Sequence, residues 1–430
     1  MSELASIVSK LVDPYCGIIT EVSRNQTPPG FPQVFFIAGR LAAPYFYRTH
    51  QAPLRYTERA NHAAGCGLTY EDAMWRMIGE SVERYCALNA DESKIFQASY
   101  NELGDAAVSP LRWIGYTDGV TQHPRYQFDP GAPMHWGEAK DLRSGKTKFV
   151  PASLVWLSVP LACKGDKFHQ TTSSGLAAGR TRNDAVASAL SELIERDCFM
   201  SRWMLRCPPP RIERDADSVQ GLDPSLLKVF RDGPLKAELF DLSIDAPEHT
   251  ILARVSLANE ERFGIALGAS SNIDRGKALT KALIEALQIC ILLVSRRGRT
   301  SNSLKLEEVE SFLDHGDFYA QPEAADGVDF FFGGGSSVAR KEEKETFPQP
   351  YDRHLNYLSS QNIDAYLVDL TTDDVSEIGF HVVRCLTPGL QPLTHGYGNH
   401  TLDHRRLFQV APHLGLPADS AINTMLHPFA

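Results

Sequence analysis

Three segments of the chain carry carboxylates at a spacing that metal ions use. Glu80 and Glu83 lie in GLTYEDAMWRMIGESVERYCAL, residues 67–88, and Glu192 and Glu195 in RTRNDAVASALSELIERDCFM, residues 180–200. The segment RGKALTKALIEALQICILL places Glu285 seven residues after Ala278, with Gln288 where the second carboxylate would fall. Residues three apart share one helix face, so each pair sets two like charges side by side. That arrangement is unfavourable without a cation. Four or five carboxylates gathered by one fold would suit a hard divalent ion, most naturally Mg²⁺ carrying a nucleoside triphosphate. Arg84, Arg196 and Lys281 stand beside these acids and could meet phosphate oxygens.

The elements that must position these groups are three copies of one helix. Aligned without gaps, Asp72 falls on Asp184, Ala73 on Ala185, Glu80 on Glu192, Glu83 on Glu195, Arg84 on Arg196 and Cys86 on Cys198. Ala185, Ala189, Leu190 and Leu193 form an apolar stripe at helical spacing, and the early acid suits the helix dipole. Each copy follows a lead with the composition of a turn: Gly65-Cys66-Gly67, Gly175 to Gly179, and Gly268 to Asn272. A single ExxER helix is ordinarily a solvated face laced with ion pairs. A solvated face has no reason to repeat Ala-x6-Glu-x2-Glu-Arg across more than a hundred residues.

Composition frames this reading. The 430 residues are 43% hydrophobic and 22% charged, enough apolar material for a large core. A net charge of -10 argues against a broad electrostatic hold on nucleic acid. The eight cysteines contain no CxxC pair, which leaves a zinc site to long-range pairings. Neither a signal peptide nor a transmembrane run is evident, so a soluble cytoplasmic protein with reduced thiols is expected.

The helices and their surroundings resemble the YcaO family. The matching stretches are GLTYEDA through GESVERY, SSGLAAGRTRNDA through SELIERD, ALTKALIEALQ, and the C-terminal IGFHVVRCLTPGLQPL, with VPASLV (Val150 to Val155) as a further family-like strand. The resemblance implies that Glu80, Glu83, Glu192, Glu195 and Glu285 ligate Mg²⁺ ions bridging the ATP phosphates. It also implies that Arg196 and Lys281 contact phosphates and that Gln288 supports the third helix. Asp184 stands where the family usually has Glu, Cys66 where it often has Lys, Arg76 where Ser or Ala is common, and Arg180 where Asn is. Arg76 and Arg180 are candidate replacements for the missing cationic contact, so Arg76, Arg84, Arg180, Asp184, Arg196, Lys281 and Gln288 form the candidate ATP set.

The implied activity is ATP-driven activation of a backbone amide in a ribosomally made precursor peptide. Cyclodehydration of Cys, Ser or Thr to an azoline is the first expectation, with thioamide or amidine formation, or a silent scaffold role, as alternatives. Members of this type work with a separate E1-like or leader-binding protein and sometimes a flavin dehydrogenase, and a homodimer within such a complex is expected. The fold implied is α/β (α+β), helices packed on largely antiparallel sheets, with residues 1–64 as a lead-in and 65–430 as the ATP-binding catalytic domain.

The tail Met425 to Ala430 keeps His-Pro-Phe. If it docks rather than frays, His427 or the terminal carboxylate of Ala430 is a candidate general base. Gly145-Lys146-Thr147 lacks the first glycine of a P-loop, and its surroundings suggest two strands joined by a Ser-Gly turn. FFFGGGSS, from Phe330 to Ser337, has the composition of a mobile loop.

Overall fold

A computed structural model describes residues 2–42, 61–113, 128–159, 163–213, 215, 219–231, 234–258, 265–296, 304–321, 324, 326–335, 347–398 and 403–429. Helix α1 (Glu3–Leu11) precedes a sheet of β1 (Ile19–Asn25), β2 (Phe35–Leu41) and β3 (His62–Gly67), and helix α2 (Tyr70–Leu88) follows β3 directly. Next come β4 (Ile95–Ser99), β5 (Pro133–Asp141), β6 (Thr147–Pro151) and β7 (Leu176–Gly179), then α3 (Arg182–Met204). Helix α4 (Pro224–Arg231) leads to β8 (Leu235–Asp241), β9 (His249–Leu257) and β10 (Ala266–Asn272), which pair as a second three-stranded sheet before α5 (Arg275–Arg296). The last elements are α6 (Phe312–Tyr319), α7 (Asp352–Ser360), β11 (Tyr366–Asp369), β12 (His381–Leu386) and α8 (His404–Val410). Strands β11 and β12 complete the large sheet, ordered β4-β5-β11-β12-β7 with β6 on β5. Every described strand pair is antiparallel.

The three aligned helices are α2, α3 and α5, and their equivalent apolar positions are buried. Ala73, Ala185 and Ala278 occupy one position, Ile78, Leu190 and Leu283 the next, and Val82, Ile194 and Leu287 a third. Each large member contributes about 1.5–3 kcal/mol by leaving water. Helix α2 packs on β2 and β3 and reaches β7 and β12; α3 packs on β7 and β12 and reaches β10; α5 packs on β9 and β10 and reaches β3. The strand–helix units therefore close into a ring. By length and composition α5 alone among the described helices passes for a membrane span, yet here it is a core helix of this ring.

Four expectations change. The leads are strands rather than turns, and their glycines serve close helix approach: a Cβ on Gly268 would collide with the backbone of Ala282 and Ala286, and one on Gly65 with Ala73. The division at residue 64 falls inside β3, because β1 and β2 build the sheet that carries α2. In VPASLV only Val150 and Pro151 are extended, and Ala152–Val155 make a helical turn. The Phe run is core: Phe331 is fully buried against Phe199 and Trp203, and Phe332 packs on Phe240. The hairpin does form, with β5 on β6 and Gly145 at φ +70° in the turn.

Candidate active site

Ring closure brings the acid-bearing helix faces together. Glu80 accepts from the Ala64 amide of β3 at 2.7 Å, and Glu192 from the Gly175 amide, just before β7, at 3.3 Å. Glu195 crosses to the next unit and accepts from the Ser271 amide of β10 at 3.2 Å. Glu80 is thus held by the strand before its own helix, Glu192 by the residue that leads into its strand, and Glu195 by its neighbour's strand.

The cations lie between the acids. Arg196 reaches Glu192 at 3.4 Å and Glu195 at 3.3 Å, Arg84 reaches Glu80 at 3.4 Å, and Lys281 reaches Glu285 at 3.7 Å. Burial pushes Glu83 well above the usual carboxylate range; Arg84 opposes this, while Glu192 and Glu80 reinforce it. Burial likewise raises Glu195 to about 7, against the pull of Arg196 and with the push of Glu285. Burial works against the charge of Arg196, but Glu195, Glu192 and Glu285 outweigh it and raise its pKa. Lys281 is raised mainly by Glu285. These mutual influences place Glu80, Glu83, Glu192, Glu195 and Glu285 around one centre. Its chemistry, five clustered carboxylates of which burial raises Glu83 and Glu195, fits a hard divalent ion and the phosphates it carries.

The other expected residues divide. Arg76, one turn before Glu80, borders the centre, since its charge lowers the Cys66 thiol and opposes Lys281. Cys66 is itself buried, which pushes its thiol up to about 12 and keeps it neutral. Gln288 is half-buried one turn beyond Glu285. Arg180 faces elsewhere: it bonds Glu3 of α1 at 3.0 Å and the Ile378 carbonyl at 3.2 Å, and stacks on Phe380. Asp184 lies ~12 Å along α3 from Glu192. Its carboxylate accepts from the Thr181 hydroxyl at 2.6 Å while its amide donates back at 3.1 Å. In this structure Arg180 ties α1 to the segment before β12, and Asp184 sits in the first turn of α3 as the partner of its N-cap, Thr181.

The tail docks. Trp203 Nε1 donates to the Met425 carbonyl at 3.0 Å, and Phe429 lies under the Arg196 guanidinium, 4.7 Å from its ring centre. His427 Nε2 donates to the Thr394 carbonyl at 2.6 Å, and its Nδ1 accepts from the Phe429 amide at 3.3 Å. Both ring nitrogens are engaged, so the imidazole anchors the tail here instead of presenting a base. Ala430 lies outside the described residues.

Sequence reasoning passed over two features. Arg384 of β12 is buried beside Glu83 and lowers its pKa; the signal was an arginine inside the apolar run His381–Leu386. Asp197, adjacent to Arg196, meets the fully buried Arg406 of α8 at 2.6 Å, and Arg406 also holds Asp245 at 2.8 Å. Beyond Arg196 opens a cleft of about 680 Å³, counted out to solvent, walled by Trp113, Leu154, Leu193, Leu386 and Leu390.

The raised Glu195 gives a pH dependence. Its folded pKa of about 7 exceeds the ordinary ~4.3, so the stability it contributes is present at low pH and lost as pH rises through about 7. Mg²⁺ competes with that proton, so its apparent affinity should weaken as pH falls below about 7. Thermal shifts on adding Mg²⁺ and nucleotide should be larger at pH 8 than at pH 6; equal shifts would remove Glu195 from the binding equilibrium.

A fold with paired acids and cations converging on one centre defines a metal-dependent, nucleotide-using protein. Residues 64–391 match the model of the YcaO cyclodehydratases, described as ATP- and Mg²⁺-binding, and the chain belongs to that family. It is 24% identical over 340 residues to an uncharacterized protein of Methanothermobacter thermautotrophicus, covering 76% of this chain and 81% of that one. A heterocyclase solved in complex with substrate and cofactor superposes with a TM-score of 0.77 at 22% identity, covering 100% of this chain and 57% of that chain. The YcaO protein of Methanopyrus kandleri, solved with AMPPCP and Mg²⁺, superposes at 0.58 with 21% identity, covering 87% and 86%. The chain therefore spans little more than half the length of that heterocyclase.

Proposed function

We propose that this chain uses ATP and Mg²⁺ to activate backbone amides of a ribosomally made precursor peptide, cyclising Cys, Ser or Thr to thiazoline or oxazoline. The carrying observation is the convergence of Glu80, Glu83, Glu192, Glu195 and Glu285 with Arg84, Arg196 and Lys281 on one centre. In this reading the five carboxylates hold Mg²⁺, and Arg76, Arg84, Arg196 and Lys281 meet phosphate oxygens. Bound MgATP supplies a phosphoryl group that turns the amide oxygen into a leaving group after the substrate side chain has added to the carbonyl carbon. The chain's own contribution is positioning and electrostatics. Arg196 faces both the acids and the cleft, so its guanidinium stands where phosphate and peptide would meet. The cleft walls, apolar residues interleaved with polar ones such as Arg112, Gln170 and Gln391, offer a seat for a peptide segment.

A separate leader-binding partner accords with a microcin synthetase complex of E. coli that superposes at 0.57. A homodimer within that assembly, a following flavin dehydrogenase and a cytoplasmic setting remain parts of the same proposal. The test is ATP hydrolysis with Mg²⁺ by the purified chain, alone and with candidate precursor and partner, while peptide mass is followed. Loss of one water per modified residue, coupled to ATP use, is the expected result. A gain matching exchange of oxygen for sulfur would replace cyclodehydration by thioamide formation. No nucleotide turnover in any combination would overturn the enzyme reading.

A further inference from the structure

A second cluster sits away from the carboxylate centre, at the β4–β5 side of the large sheet. His135 projects from β5, while Cys163 and Asp166 come from the short turn Cys163-Lys164-Gly165-Asp166. One ligand atom from each lies within 4.8 Å of the others. The Asp166 side chain is 1% exposed. It accepts from the His135 amide at 2.7 Å and the Cys163 amide at 3.0 Å, and stands 2.8 Å from His135 Nδ1. Gln97 of β4 brings its side-chain amide to 2.8 Å from the Cys163 sulfur. Gly165 lets the turn lie flush on β5, because a Cβ there would stand 2.8 Å from the Pro133 carbonyl oxygen.

A hydrogen-bonded staple explains the carboxylate, while the thiol serves in it as a weak acceptor from the Gln97 amide and the turn's own backbone. A sulfur, an imidazole nitrogen and a buried carboxylate from two chain segments are also a mixed donor set of the kind Zn²⁺ takes, and a poor one for Mg²⁺, which wants oxygens in an octahedron. We propose that His135, Cys163 and Asp166 bind one Zn²⁺ in a tetrahedral site, with water in the fourth position beside Gln97. Bonds of ~2.0–2.1 Å to nitrogen and oxygen set those two ligands ~3.3 Å apart. The 2.8 Å now spanned by a shared proton must therefore widen slightly, within the reach of side-chain rotation. Binding releases the thiol proton to solvent and leaves the imidazole neutral, its ring proton moved from Nδ1 to Nε2, and no bond changes otherwise. The ion would pin β5 to the turn that opens the stretch through His169, Gln170 and Ser174, which lines the cleft beside Arg196.

This inference does not rest on the ATP reading, and its test keeps the two apart. The protein is purified without chelator, its metal content measured, then stripped and titrated with Co²⁺. About one tightly held Zn²⁺ per chain is expected, with a sulfur-to-cobalt charge-transfer band in the near ultraviolet and intense four-coordinate visible bands. The thiol beside the carboxylate centre, Cys66, is buried, so Cys66→Ser and excess Mg²⁺ should each leave the band unchanged. Cys163→Ser, a near-isosteric change, should remove the band and the zinc together, and Asp166→Asn should weaken zinc at least tenfold. Absence of both zinc and the band in the wild type would overturn the site, as would a band that survives in Cys163→Ser.

Discussion

Glu192→Ala should reduce ATP turnover and peptide modification together by about a thousandfold or more. A lost ligand that helps a metal offset charge on the transferring phosphoryl group is worth several kcal/mol, and each ~1.4 kcal/mol is a factor of ten in rate. Glu192 is the residue to choose because it faces three ways. It accepts from the Gly175 amide, pairs with Arg196, and raises both Glu83 and Glu195. Asp184→Ala on the same helix is the control: it removes a partner of the Thr181 hydroxyl and should leave turnover within about twofold, at a stability cost of ~1 kcal/mol. Arg180→Ala, which cuts the strap to Glu3, should likewise leave the KM for ATP nearly unchanged. Steady-state ATP hydrolysis with peptide mass spectrometry reads all three. A Glu192→Ala enzyme retaining a tenth of wild-type turnover would remove this carboxylate from the metal site.

Arg406→Met should produce the largest loss of stability, about 3–5 kcal/mol, because it strips the partner from two buried carboxylates at once. The Arg406 side chain is fully buried, with Asp197 at 2.6 Å and Asp245 at 2.8 Å, and Tyr357 completes the cluster at 2.8 Å. Burial works against the Arg406 charge, yet Asp197 and Asp245 raise its pKa, so it stays a cation. Asp197 also accepts from the Gln391 amide at 2.8 Å, which ties α3 to a cleft-lining segment. Urea denaturation gives the check. Adding Asp197→Asn and Asp245→Asn to Arg406→Met should recover part of the loss, since no uncompensated charge is then left inside. A single variant within ~1 kcal/mol of wild type would mean that water reaches the cluster.

Much of the site was legible before the fold was known. An i, i+3 pair on a helix is set by the 3.6-residue period alone, so Glu80 with Glu83 and Glu192 with Glu195 had to share faces. The threefold recurrence of that pattern told that the helices play equivalent parts, and α2, α3 and α5 do. Other signals misled for local reasons. Glycines at the helix leads suggested turns, whereas close strand–helix packing demanded them. The Phe330–Phe332 run lay beside glycines and suggested a loop, yet three large rings had no better place than the core against Phe199, Trp203 and Phe240.

What the sequence by itself determined is the inventory: three amphipathic helices, their apolar stripes, the carboxylates on their faces, and the family resemblance those motifs carry. All of these follow from spacing within about twenty residues, where helical periodicity governs. What only the tertiary structure decided is which face meets which. Glu83 sits by Glu192 and Arg384, and Glu195 by Glu285 and Ser271, because each helix leans on the next unit's strands. The same packing tied Arg180 to Glu3 and joined Asp197 to Arg406 across 209 positions. Sheet order and ring closure place residues far apart in the chain, and no local pattern encodes them.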